Sequence, residues 1–510
     1  MPIFTRNNLL RHSEKLLFGT AVFYLCSFTL QYGWLITEDG PSHIYNAIVA
    51  KNLLLHPGSD PVFALNHIPV PNSLGHALLA LLSAAVPVAV ADKLFHLLVI
   101  AGIAYGFRSV VRIINPEQPL LSWLILPFVY SGIFFRGFYN FSLGIALSLF
   151  CLATWLSLEK KFTRKKAALA GILCTLLFFT HLLPFALFVI LAGLRVLARL
   201  FFREFLLFRK RAVQLFLILL PATLFFVTYY VQRTEMTEGK INWADPLTTL
   251  VNFVSLHPLA VLLIEEKIPV MIFGIVLLLV MATALVFLFR RTEKTTEEKR
   301  NAFTWLFSWL FFFVLLFAVP DDFGGSGAVT MRLVEICWLL SLLLIAAGRL
   351  PKSVPVMLAV LSLGMTVFQQ EIRHDLFNDL NQDGNKIHSF RTAIRPNSNG
   401  IYIPRTGNWL KLHAGEFLFA ETNTTLLSDY ETTHDFFPLV WKQRLPYDYT
   451  IGGWHPHELY CASCFWPEQP GVEQRHVDYV LILNEYDTDT SCFHELSDSL
   501  QKYYTLKKSG

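Results

Sequence analysis

Residues 17–43, LFGTAVFYLCSFTLQYGWLITEDGPSH, decide the fold class. The run 17–36 carries no charged side chain. It is about as long as the ~20 residues a helix needs to cross the hydrocarbon core of a bilayer. Arg6, Arg11 and Lys15 precede it, and cytoplasmic flanks collect such bases. The run is long for a signal-peptide core and lacks an A-x-A-like cleavage site, so it reads as a retained first span with its N-terminus inside. The chain then leaves the membrane at two adjacent carboxylates, Glu38 and Asp39, followed by Gly40-Pro41-Ser42-His43.

The rest of the chain repeats the pattern of that first run. The sequence has 510 residues, 54% hydrophobic and only 16% charged, whereas soluble domains are roughly one quarter charged. The bases cluster between apolar runs, at residues 159–166 (EKKFTRKK), 203–211 (REFLLFRKR), 290–300 (RRTEKTTEEKR) and 348–352 (GRLPK). These clusters mark the cytoplasmic side. Runs 167–183, 184–202, 212–231, 268–289, 303–319, 333–348 and 353–369 then alternate across the membrane. In the first part, apolar stretches cover 74–90, 92–107, 119–135 and 138–157. Four crossings there would place 159–166 outside, so one stretch is expected to be re-entrant, interfacial or fused with a neighbour. Residues 247–265 are expected as an external interfacial or re-entrant helix. About 11 spans result, with 13 as the alternative, because only an odd number satisfies both ends. The first external loop covers 37–73, and its residues 43–56 suit a helix lying on the membrane surface.

From residue 370 the balance changes to 12 Lys+Arg against 19 Asp+Glu, leaving 30 against 19 before it. This acidic segment, 370–510, reads as a soluble domain on the outer face. Its expected strands are 401–403, 477–483 and 503–507, which make it a small α/β unit. The whole is therefore an α-helical polytopic membrane protein, 1–369, with a small external C-terminal α/β domain. A bacterial inner membrane with a periplasmic C-terminal domain is the expected setting. The basic clusters are short and sit at helix ends, so nothing points to nucleic-acid binding and no nucleic-acid partner is expected.

Polar residues that this topology places on the outer face are the candidates for chemistry. Glu38 and Asp39 sit at a membrane exit with His43 four residues on, where a carboxylate can take a proton from a hydroxyl or bind a cation. The same residues also suit a helix cap, since Asp-Gly-Pro-Ser is turn chemistry. Arg136, Tyr139 and Asn140 interrupt a very apolar region. The arginine suits a phosphate and its neighbours a sugar, or the group is an interfacial belt. His181 lies at an outer turn, as a ligand or as a packed polar residue. Asp321 and Asp322 open a glycine-rich loop that ends in Arg332, which suits a phosphate or diphosphate at the membrane surface, or a flexible turn.

Cys26, Cys151, Cys174 and Cys337 lie in apolar runs as inert packing. Cys461, Cys464 and Cys492 fall in the external domain, where a disulfide is favoured. Zinc is conceivable near Cys461 and Cys464 with His455, His457 and His476, but the spacing is not a complete zinc signature. No metal ligand is assigned, and a requirement for a divalent cation stays open. The patch between Trp454 and Trp466 suits a partner surface or a lid.

The layout resembles the GT-C superfamily of integral-membrane glycosyltransferases. The likeness rests on the inside N-terminus, the acidic motif Glu38-Asp39 directly after span one, the long first external loop, the many spans and the external C-terminal domain. It implies a polyprenyl-phosphate- or diphosphate-linked sugar as donor, and a first-loop carboxylate as catalytic base: Asp39, with Glu38 second. Glu-Asp followed by Gly-Pro replaces the Asp-Glu or Asp-x-Asp of that superfamily, and no WWD-type signature occurs. Transfer of a single sugar to a lipid, glycan or protein is therefore expected, rather than transfer of a whole oligosaccharide. A flippase or transporter of lipid-linked glycan, and a non-catalytic membrane scaffold, are the competing classes. Charge-poor mid-span regions favour surface chemistry over a conduit.

Overall fold

The computed structural model describes residues 6–233, 241–290, 295–322, 327–442, 477–485, 500–501 and 504–507. In chain order the helices are α1 (Arg6–Gln31), α2 (Gly40–Leu55), α3 (Leu74–Ser83), α4 (Val88–Ile114), α5 (Gly132–Phe135), α6 (Tyr139–Lys160), α7 (Arg164–Thr180), α8 (Leu182–Phe201), α9 (Phe205–Gln232), α10 (Pro246–Val254), α11 (Lys267–Arg290), α12 (Thr296–Ala318), α13 (Val329–Ala347), α14 (Ser353–Ser389) and α15 (Glu416–Thr422). The strands are β1 (Phe63–Leu65), β2 (Asn399–Arg405), β3 (Thr425–Leu426), β4 (Leu439–Trp441) and β5 (Tyr479–Asn484). Among the described residues, eight helices are long and apolar enough to cross a membrane: α4, α6, α8, α9, α11, α12, α13 and α14. The protein is accordingly a mainly helical membrane protein with small sheets.

The chain divides into two compact units. The first comprises residues 1–31, 96–134 and 140–374. Its long helices leave large apolar side chains uncovered, such as Leu206 (87% exposed) and Val231 (73%). A water-facing surface would not tolerate so continuous an apolar coat, whereas lipid matches it. At one end of this unit the basic clusters of the sequence come together. Glu159 pairs with Arg195 (2.7 Å) and Arg199 (3.3 Å), and Glu204 pairs with Arg199 (2.8 Å) and Arg300 (2.5 Å). Arg211 donates to the carbonyl of Leu158 (3.1 Å). Buried charges need such partners, and here they tie α6, α8, α9 and α12 together.

The early region has an unusual path. Within the first unit α1 and α4 run antiparallel: Glu14 pairs with Arg108 (2.6 Å), and Phe18 packs on Tyr105. α4 and α6 run parallel, with Gly102 against Ala146, Gly106 against Leu149, and Lys160 donating to the carbonyl of Ile113 (2.7 Å). Two parallel neighbours require the chain between them to travel back. Residues 115–134 do so beside α1, with Trp123 at Glu14 and Tyr130 bonded to the carbonyl of Leu25 (2.8 Å). Seven residues, 123 to 130, keep pace with eleven of α1, a rise of roughly 2.3 Å each against 1.5 Å in an α-helix. The 3₁₀ geometry of Pro119–Phe128 has a longer rise per residue of about 2.0 Å, which accounts for most of the difference.

Of the apolar stretches in this region, 74–90 contains the ten-residue α3 and the first residues of α4, and 119–135 the ten-residue 3₁₀ helix and the four-residue α5. Residues 247–265 hold α10 and short 3₁₀ turns, none long enough to cross. Glu266, the last residue of those turns, is buried in an ion pair with Arg373. Arg373 also donates to the carbonyls of Tyr130 (3.1 Å) and Leu259 (3.0 Å), so its charge is fully partnered.

The second unit comprises residues 32–95, 135–139 and 375–510. Its core joins the first loop to the C-terminal segment. Tyr45, Ile48, Val49 and Leu53 of α2 pack with Phe63, Ile401, Ile403, Phe419, Leu426 and Leu439. Fully burying each such side chain contributes about 1.5–3 kcal/mol. The expected surface helix at 43–56 is thus a buried one: its apolar face meets protein, and Ser42, His43 and Asn46 are buried too. β2 is the centre of a parallel sheet ordered β3-β2-β5, and β1 pairs antiparallel with β4, Phe63 opposite Trp441. Strand 401–403 lies in β2 and 477–483 largely in β5, while 504–507 form no strand. Cys461, Cys464, Cys492, the patch from Trp454 to Trp466 and His476 lie outside the described residues. Cys26, Cys151, Cys174 and Cys337 are free thiols, the last three buried.

Candidate functional site

Two segments that are far apart in sequence pair within the second unit. The amide of Glu38 donates to the carbonyl of Phe135 (3.0 Å), and that of Asp39 to Arg136 (3.1 Å). The following residues must be glycine. Gly137 has φ +71°, and a Cβ there would lie 2.4 Å from the Gly40 nitrogen. A Cβ on Gly40 would lie 2.2 Å from Thr37 Oγ1 and 2.3 Å from the Tyr139 hydroxyl. Only bare backbone permits this approach.

The pairing sets the side chains. Arg136 Nη1 donates to both oxygens of Glu38 at 2.7 Å, and its guanidinium lies 4.6 Å over the Trp409 ring. Tyr139 donates to Asp92 (2.6 Å), whose carboxylate is buried. Asp39 ends the turn before α2, accepts at its carbonyl from the amide of His43 (3.0 Å), and keeps 19% of its side chain exposed. Its Oδ1 lies 3.7 Å from His413 Nε2, and His413 Nδ1 lies 2.6 Å from Glu416 Oε1. The Tyr430 ring packs on His413 with centroids 4.8 Å apart.

Electrostatics bring the Asp39 carboxyl near neutrality. Burial pushes its carboxyl up, the Glu38 and Glu431 carboxylates push further, and His413 and Arg136 oppose, leaving it at about 7. Glu38 is raised by burial against the pull of Arg136. Burial pulls His413 down, but Glu416, Asp39 and Glu38 outweigh it and raise the imidazole to about 9. Between those values Asp39 is a carboxylate facing an imidazolium.

Beside this pair, Glu431 lies between two histidines. His43 Nδ1 is 2.5 Å from Oε1, and His76 Nε2 is 2.8 Å from Oε2. Burial raises the Glu431 carboxyl, but the two histidines outweigh it and hold it at about 2. The three ligand-type atoms lie within 4.8 Å of one another, and all three residues are buried. Asp429, two residues earlier, accepts from the Asn46 amide nitrogen (3.0 Å).

Of the residues picked from sequence, Glu38, Asp39, His43, Arg136 and Tyr139 thus meet in one unit. Asn140, His181, Asp321, Asp322 and Arg332 belong to the other. There His181 caps α8 by accepting from the amide of Leu183 (3.0 Å), and its ring lies 5.5 Å from Phe141. Arg332 lies 5.9 Å from the same ring. Asp321 accepts from the amide of Thr330 (2.8 Å), and Asp322 from the Asn242 side chain (3.1 Å), so both fasten their loop. Asn140 is buried. Sequence reasoning missed His76, His413, Glu416, Asp429, Tyr430 and Glu431. The signals were the spacing His413-x-x-Glu416, the acid-Tyr-acid run 429–431 and a histidine at the head of the apolar α3. No protein-family model matches the chain, and no curated protein is detectably similar to it.

Proposed function

We propose that the protein is a GT-C-like membrane glycosyltransferase that moves a sugar from a polyprenyl-phosphate-linked donor to a lipid, glycan or protein acceptor at the outer face of a bacterial inner membrane. The observation that supports this most is Asp39: a partly exposed carboxylate at about 7, 3.7 Å from His413 and beside Arg136, directly after the first apolar helix. Such a group removes the proton of an acceptor hydroxyl as the hydroxyl attacks the anomeric carbon. The C–O bond to the acceptor forms, the bond to the phosphate oxygen breaks, and polyprenyl phosphate leaves with its charge. One carboxylate activating a direct displacement gives inversion. His413, oriented by Glu416, steadies the carboxylate in its charged form. The leaving phosphate needs a cation more than a proton. Arg136, in the same unit as Asp39, is the cation assigned to it.

The reading carries eleven crossings: the eight long apolar helices, plus α1, the 115–134 leg and α7. The antiparallel and parallel pairings of α1, the leg, α4 and α6 support this count. The gathering of basic clusters at one end supports an inside placement for that end.

The test is release of polyprenyl phosphate from a panel of polyprenyl-linked sugars by purified protein, wild type beside Asp39→Asn. Loss of a general base lowers turnover roughly 10²–10⁴-fold. Turnover by wild type, lost in a variant with an unchanged melting temperature, would support transfer chemistry with Asp39 as base. Equal turnover by both would remove Asp39 from the mechanism. A flippase would move the intact lipid-linked sugar without releasing polyprenyl phosphate.

A further inference from the structure

We propose that His43, His76 and Glu431 bind a zinc-class divalent cation beside Asp39. Two nitrogens and one carboxylate oxygen are a donor set that such ions accept with a fourth position left for water or substrate. The three residues come from α2, α3 and the 431–433 turn, so an ion would join the first loop to the C-terminal segment within one unit.

The first argument is hydrogen-bond polarity. His76 Nδ1 lies 2.8 Å from the carbonyl of Asn72, which can only accept, so the Nδ1 proton is fixed there. In a neutral ring Nε2 then carries a lone pair, and it lies 2.8 Å from Glu431 Oε2. Two acceptors at that distance need a positive centre between them, either a second ring proton that makes His76 a cation or a metal ion that takes the place of that proton. An outer carbonyl fixing the far nitrogen is also how metal-bound imidazoles are held.

The second argument is independent of the first. His43 Nδ1 and Glu431 Oε1 are buried, 2.5 Å apart, and neither has a hydrogen-bond partner of acceptable geometry. The atoms converge without being aimed along a hydrogen bond, as ligands of a common third atom do. Bonds near 2.1 Å need neighbouring ligand atoms roughly 3.3 Å apart, so the carboxylate would draw back by under about 1 Å.

The third argument is charge. Glu38, Asp39, Glu416, Asp429 and Glu431 are gathered around Arg136 and His413, and four of these five acids are nearly or fully buried. With His43 and His76 neutral, as metal ligands are, these acids outnumber the two cations, and a divalent ion bound here offsets that buried negative charge.

The test uses full-length detergent-purified protein, stripped with chelator and then given zinc or cobalt(II) alone. Expected is about one equivalent of bound metal, and a cobalt spectrum of nitrogen and oxygen ligation without thiolate charge-transfer bands. The absence of those bands separates this site from the cysteines at 461, 464 and 492. His76→Ala and Glu431→Gln are expected to lose at least tenfold in affinity, and Asp39→Asn to keep the ion. Wild type that takes up no metal would overturn the proposal. So would uptake unchanged in His43→Ala, His76→Ala and Glu431→Gln, or a thiolate-type cobalt spectrum. The wild-type spectrum decides the matter if a variant fails to fold. The outcome is separate from the transfer reaction, because metal content and spectrum are read without turnover.

Discussion

At the scale of single residues, the protein places an acid and a base where each alters the other. Asp39 alone on a surface would ionise near pH 4 and be a weak base at neutral pH. Burial and two neighbouring carboxylates bring it to about 7, while His413, held by Glu416, rises to about 9. A base must be deprotonated to act. Turnover is therefore expected to rise with pH through about 7 and to fall again through about 9, as His413 loses the charge that faces Asp39. The pH profile of kcat/KM checks this. His413→Gln should remove the upper limb and lower the plateau. A wild-type profile flat from pH 6 to 10 would contradict the assignment of both groups.

At the scale of elements, the site depends on two turns whose backbones touch. Glu38 and Asp39 donate two backbone hydrogen bonds to the carbonyls of Phe135 and Arg136, and the fit is so close that side chains at Gly40 and Gly137 are excluded. Gly137→Ala puts an L-residue at positive φ, at about 1–2 kcal/mol, and adds the clash with Gly40. A lower melting temperature is expected, together with a loss of turnover larger than the stability change explains, because Arg136 and Asp39 move relative to each other. Gly58, also at positive φ but with open space around it, serves as the control. Gly58→Ala should cost only the backbone term and leave turnover intact. The sequence exposed both turns as polar interruptions of apolar runs, but not their partnership. Hydrogen bonding between residues about a hundred apart leaves no local trace.

At the scale of the whole molecule, the proposed eleven crossings require the N-terminus and the C-terminal segment to lie on opposite sides of the membrane. Single cysteines placed in a background without native cysteines test it with a membrane-impermeant maleimide. Ser59→Cys and Lys386→Cys should label from outside in intact cells, and Lys161→Cys only after permeabilisation. Labelling of all three from one side would break the alternation. The leg at 115–134 is the element on which the odd number depends, since α4 and α6 run parallel and need a return between them.

The sequence by itself determined the class of the protein and the cast of part of its site. Long uncharged apolar runs must lie in lipid, because a backbone there has to satisfy its own hydrogen bonds and helices do so locally. A polar residue at the edge of such a run is costly, which made Glu38, Asp39, His43, Arg136 and Tyr139 legible one by one. Tertiary structure decided what they meet. Residues 43–56 carry an amphipathic signal that cannot distinguish lipid from protein as the apolar partner, and burial of α2 under Ile401, Phe419 and Leu426 settled it. Glu431, His413 and Glu416 sit in a segment of ordinary composition, hundreds of residues from the first loop. Periodicity and spacing act over a few residues, whereas the attraction between Glu431 and His76, or Asp39 and His413, exists only after the chain has brought them within a few ångströms. The irregular return leg was hidden for the same reason: its direction is defined by the helices packed around it, not by its own pattern.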